Sequence, residues 1–155
     1  MREHFFMPSA LPKLAKTAEV SGFILERTAK RMKQFFHAQL TLAAADITID
    51  QWIVLQTLES GSAQSQYEIA RQTFKDAPTV TRILDLLEQK KLITREDDPN
   101  DRRRYNVRLT IHGRQKIKDI LPVIKQARLQ AWHGLEDEEM STLVRLLDKV
   151  YDNLK

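Results

Sequence analysis

No cysteine occurs anywhere in this sequence. That excludes structural disulfides, thiolate-held zinc, iron–sulfur clusters and a thiol redox switch, and it favours a reducing, intracellular compartment such as the cytoplasm. Long apolar runs are also missing: none approaches the ~20 residues that cross a bilayer, so no membrane partner is expected. The opening MREHFFMPSALPKLAK has no apolar stretch of signal-peptide length, and no export signal is expected. Histidine is sparse, and no two of His4, His37, His112 and His133 stand four residues apart as helical metal ligands do. No Gly-rich phosphate loop and no nucleophile elbow can be found. A metal site, a cofactor and an enzyme activity are therefore not expected.

Glycine and proline number only 4 and 5, and the apolar residues recur at helical steps almost throughout. Phe23, Ile24, Met32, Phe35, Phe36 and Leu40 describe a long amphipathic helix over about 16–43. Thr48 and Gln51 have capping-box spacing and open a helix over 49–59; Ser65 and Glu68 do the same for a helix over 66–74. Asp76 is the expected N-cap of a helix over 77–90, with Pro78 in its first turn, where a missing N–H costs nothing.

LITRE, at 92–96, reads as a strand, DDPND as turn chemistry and RYNVRLT, at 104–110, as the returning strand. This places the run Arg102-Arg103-Arg104 at the hairpin turn. Thr110 is expected to cap a helix over 111–131 that Pro122 should kink, and a last helix begins near Glu136.

Two short helices, a tight turn and a β-hairpin make a winged helix-turn-helix. The expected fold is mainly α with a small β-hairpin wing: a winged helix-turn-helix domain over 46–110, and a helical dimerisation region over 1–45 and 111–155. The last helix has a stripe of Met140, Leu143, Val144, Leu147, Tyr151 and Leu154 that a small domain cannot cover, so a second copy of the chain is the simplest partner.

Charge points the same way. The net charge is only +4, but seven bases and no acid lie between Arg102 and Lys118. A local basic block suits a polyanion, although a solvated helical surface would look similar. In a helix-turn-helix, the second helix presents its N-terminal residues to the major groove. Here those are Ala77, Pro78, Thr79, Thr81 and Arg82, and Arg82 is suited to bidentate contact with guanine. Ser65 and Gln66 open the preceding helix, where free N–H groups favour phosphate. Arg102, Arg103 and Arg104 suit a narrow minor groove, with Asp101 bracing them.

The segment SQYEIARQTFKDAPTVTRILDLLEQKKLITREDDPNDRRRYNVRLTIHG, at 65–113, resembles the MarR family of bacterial transcriptional regulators. The wing pattern is met by Asp101, Arg103, Val107, Leu109 and Thr110; the recognition-helix pattern is met by Thr79, Val80, Thr81, Arg82 and Leu87. Lys91 stands where the family often has glycine. The resemblance implies a homodimer on near-palindromic double-stranded DNA, most often a repressor, released by a small aromatic or anionic ligand. For such a ligand Phe36, Trp52 and Arg27 are the candidate contacts, although aromatics at this spacing more often form core. A dimeric helical adaptor without DNA binding is the alternative; it would leave the arginine run and the Thr-Val-Thr-Arg helix without a role.

Overall fold

The computed structural model describes residues 16–155, apart from the side chains of residues 16–20, Arg102 and Arg103. His4, Phe5, Phe6 and the stretch read for an export signal lie outside the described residues. In chain order the elements are α1 (Lys16–Leu42), α2 (Ile49–Thr57), β1 (Gln64–Ser65), α3 (Gln66–Thr73), α4 (Ala77–Gln89), β2 (Ile93–Asp98), β3 (Asp101–Leu109), α5 (Ile111–Ala131) and α6 (Asp137–Asp152). The chain is mainly helical, with one small antiparallel sheet of order β1-β3-β2. It divides into two compact units that part between Phe35 and Phe36.

The caps form as their spacing predicts. Gln51 donates its N–H to Thr48 Oγ1 (3.1 Å) and its side chain accepts from the Thr48 N–H (3.2 Å). Ser65 and Glu68 make the equivalent pair at 2.7 and 3.2 Å. Asp76 caps α4 by accepting from Thr79 N–H, and Thr110 caps α5 by accepting from Gly113 N–H. α5 continues through Pro122, whose missing donor falls on an exposed face.

The second unit has one hydrophobic core. Leu40 from the end of α1, Trp52, Val54 and Leu55 from α2, Ile69 from α3, and Val80, Ile83, Leu84 and Leu87 from α4 meet Ile93 and Val107 of the sheet. Ile117, Ile120 and Ile124 of α5 belong to the same cluster. The helix that leaves the wing therefore shares its core with the helix-turn-helix.

Strand β1 was not foreseen. It is two residues long and adds Gln64 and Ser65 to the edge of β3, opposite Val107 and Asn106. Pairing this short was invisible to alternation, which needs about four residues to register.

The arginine run requires a correction. The turn consists of Pro99 and Asn100, closed by Asn100 N–H donating to Asp98 Oδ1 at 2.8 Å. The chain turns back at once, so Arg102, Arg103 and Arg104 lie on β3 rather than at the tip. The ladder runs evenly from Ile93 opposite Leu109 to Asp97 opposite Tyr105, then jumps to Asp98 opposite Asp101. Residues 102–104 are the excess in that jump, which makes the arginine run a bulge in the returning strand. A bulge bends its strand and re-aims its side chains.

Two contacts hold the wing. At its base, Thr110 donates its N–H to Leu92 O (3.1 Å) and its hydroxyl to Lys91 O (2.7 Å). Lys91 ends α4 with φ 58°, the left-handed conformation that glycine would adopt more readily, so the turn keeps its geometry without the glycine. Gly113 packs so closely here that a Cβ would stand 2.1 Å from Leu92 O. Further out, Arg95 on β2 reaches back to α4. Its guanidinium pairs with Asp85 at 2.7 Å and Glu88 at 2.5 Å. The hydrogen bond from Arg95 holds the Glu88 carboxyl below its ordinary value of 4.5, and the same bond raises Arg95.

Gly113→Ala should lower unfolding stability by about 1–3 kcal/mol, the usual cost of overpacking, because the group in the way is backbone. Urea unfolding at fixed protein concentration reads this directly. The Glu88–Arg95 pair predicts an acid-sensitive wing. A carboxyl depressed in the folded state stabilises above its unfolded pKa, and that contribution disappears as pH falls through the folded value. Stability should thus decline as pH drops below 4.5, and Glu88→Gln should decline less steeply there while being less stable at neutral pH. Thermal melts of both proteins across that range decide the point.

Candidate nucleic-acid interface

Helices α3 and α4 are joined by Phe74, Lys75 and Asp76. Phe74 ends α3 with φ 53°, an αL residue of the kind that reverses a helix but that costs a residue with a Cβ of the order of 1 kcal/mol. Its ring meets Tyr151 of α6 edge-on, with centroids 5.9 Å apart. Lys75 is tied to Asp50 in the first turn of α2 at 2.7 Å. The turn between the two helices is therefore held from both sides.

Of the residues expected at DNA, Ser65, Gln66, Ala77, Thr81 and Arg104 line one groove. Ala77, Pro78, Thr81 and Arg82 are exposed along the first half of α4, and Ser65 and Gln66 are half-buried at the start of α3. Ser65 serves as a cap, its hydroxyl accepting from Glu68 N–H. Thr79 is half-buried and donates its hydroxyl to Asp76 Oδ2 at 2.9 Å. The two bonds from Thr79, backbone first, hold the Asp76 carboxyl below its ordinary range. Thr79 thus spends its hydroxyl on fixing the helix start. Thr81 donates to Ala77 O at 3.0 Å and accepts from Gln66 Nε2, a side-chain bridge between α3 and α4. Arg82 has no ion pair among the described residues, which leaves its guanidinium available for an external anion.

A groove of about 430 Å3 runs between these helices and the wing, lined by Ser65, Gln66, Ala77, Thr81 and Arg104 together with Tyr67, Ala70, Arg95 and Tyr105. Arg104 is mostly exposed and lies 3.6 Å from Asp101, so the bracing acid pairs with the last arginine of the run. The side chains of Arg102 and Arg103 lie outside the described residues.

Four of the lining residues escaped the sequence reading of the site: Tyr67, Ala70, Arg95 and Tyr105. For Arg95 a signal existed. It shares the inward face of β2 with Ile93, two residues before it, and a charge on an inward face needs a partner. Asp85 and Glu88, three apart on the preceding helix, are that partner. Tyr67 is 75% exposed, and nothing in helical periodicity distinguishes an aromatic on the outer face from one awaiting a core.

The residues named for an effector are placed differently from one another. Trp52 is 2% exposed inside the core, and Phe36 packs against that core; Arg27 is exposed on the first unit. Trp52 thus fills the interior, as aromatics at this spacing usually do. Among the described residues no group of acids and histidines is arranged to hold a metal ion, and no helix is long and apolar enough to cross a membrane.

A MarR-family model matches residues 45–104, the segment from α2 to the arginine run. Solved structures extend the likeness to most of the chain. BpsR of Bordetella bronchiseptica, described in a study of how 6-hydroxynicotinic acid regulates its DNA binding, is 29% identical, with a TM-score of 0.76 over 84% of this chain and 98% of its own. A MarR variant from E. coli in complex with operator DNA is 25% identical, with a TM-score of 0.77 over 88% of this chain and 99% of its own. MepR of S. aureus bound to DNA is 26% identical, with a TM-score of 0.78 over 91% of this chain and 99% of its own. In both length and fold the likeness covers the winged module and the helices around it, and the chain is similar to the MarR family of winged helix-turn-helix transcriptional regulators.

Proposed function

We propose that this regulator acts in the cytoplasm as a homodimer that binds a near-palindromic operator, represses transcription there, and is released by a small aromatic or anionic compound. The observation that carries the reading is the exposed first half of α4, where Ala77, Pro78, Thr81 and an Arg82 without an ion pair among the described residues stand on a helix whose other face is locked into the core. A helix presented this way matches the width of a major groove, and its side chains are free to meet base edges. Arg104 and the neighbouring arginines of the bulge would follow the duplex into the adjacent groove.

The dimer is supported by α6, in which no residue is buried. Val144 is 51% exposed, Leu147 40% and Leu154 80%, while Met140 and Leu143 are half-covered. In this reading the helices outside 46–110 supply the contact between two copies, and each copy offers one winged module to a half-site. The effector part rests on BpsR, whose DNA binding is regulated by an aromatic acid.

Enrichment of random duplexes, followed by anisotropy titration at fixed salt, tests the operator. A near-palindrome should emerge. Arg82→Ala should weaken binding to it by about 1–3 kcal/mol, with the loss confined to one or two base positions per half-site. Equal loss on operator and random DNA would instead make Arg82 a phosphate contact. The dimer is tested by sedimentation: the wild type should be a dimer at micromolar concentration, and Leu143→Asp with Leu147→Asp should give a monomer or an aggregate. A stable wild-type monomer would sink the assembly.

A further inference from the structure

Gln66 and Thr81 form a side-chain hydrogen bond between two helices, on the surface that this reading assigns to DNA. A threonine hydroxyl has one proton and two acceptor positions. The proton of Thr81 is given to Ala77 O, 3.0 Å away in the preceding turn, and one acceptor position receives Gln66 Nε2. What remains on this exposed residue is the γ-methyl and one lone pair. In this state Thr81 cannot donate to the base acceptors of guanine, adenine N7 or thymine O4 without breaking a bond inside its own helix. Its lone pair can accept only from an amino group of adenine or cytosine, and its methyl suits the 5-methyl group of thymine.

We propose that Thr81 is a specificity-determining residue that reads a thymine methyl, and that Gln66 is a positioning residue that holds Thr81 in the rotamer required. Two bonds fix one short side chain, so its methyl group is presented without further loss of rotamer freedom on binding. Gln66 bonds to Thr81 through one amide proton, and it stands at the first position of α3, beside the N–H groups that face phosphate. Its second amide proton is placed to donate to the backbone of the same half-site. Base reading by α4 would then be tied to the docking of α3.

This inference rests on the operator reading above, and the test separates the two. In the enriched operator, each thymine is replaced in turn by deoxyuridine, which removes the 5-methyl group and nothing else. Wild type should lose about fourfold in affinity at one thymine in each half-site, the worth of about one buried methylene-sized group. Thr81→Ser keeps the hydroxyl and lacks the methyl, and should show no such penalty. Thr81→Val keeps a methyl in a helix-restricted rotamer and should retain it. Gln66→Ala should shrink the penalty when Thr81 is present but leave it unchanged in the Thr81→Val background. A purely structural role for Gln66 would lower affinity equally on both DNAs in both backgrounds. If no sequence is enriched, operator binding and this inference fall together. If an operator emerges and no thymine shows a penalty that Thr81→Ser abolishes, only the inference falls; a penalty indifferent to Gln66→Ala overturns the positioning role.

Discussion

The wing, the recognition helix and the long helix behind them depend on one close approach, between the carbonyl of Leu92 and the backbone of Gly113. Only hydrogen fits at that α-carbon, since a Cβ would be 2.1 Å from the oxygen. The same few residues hold the Thr110 bonds to Lys91 and Leu92 and the cap that Thr110 makes for α5. α4 therefore ends, β2 begins, β3 ends and α5 begins within one hydrogen-bonded knot. Because a backbone contact and the short Thr110 side chain make the knot, α4 cannot pivot against α5 without breaking it. Ile117, Ile120 and Ile124 then carry the constraint into the shared core.

Beyond the knot, orientation is controlled by charges used internally. Arg95 is spent on Asp85 and Glu88, and Lys75 on Asp50. Lys90 reaches Asp46 O and lies 3.5 Å from the Asp46 carboxylate. These bases fix α2, α4 and the wing to one another. A modest net charge of +4 is compatible with an anion-facing surface because attraction depends on where the remaining bases lie. The bulge at residues 102–104 brings three arginines together along the chain where the strand departs from its regular ladder, and the last of them lies 3.6 Å from Asp101.

Much of the fold was legible because its signals are local. Thr48, Ser65, Asp76 and Thr110 stop and start helices through bonds that span three residues, and such bonds form wherever the chain permits a turn. The surface formed by Ala77, Pro78, Thr81 and Arg82 could be named in advance, since a helix start and its exposed side follow from the cap and the pattern.

By itself, then, the sequence determined the order and type of the elements other than β1, their capped ends and the residues that a recognition helix would expose, because each depends on neighbours a few positions away. The tertiary structure alone decided the rest. It assigned Arg95 to Asp85 and Glu88, bridged Gln66 to Thr81 across fifteen positions, paired β1 with the edge of β3, and put the arginine run on a bulge instead of a turn. Each of these depends on which distant groups the core brings within bonding distance. A charge, an amide or an extra strand residue carries no mark in the sequence of the partner it will meet, and that partner is chosen only when the chain has packed.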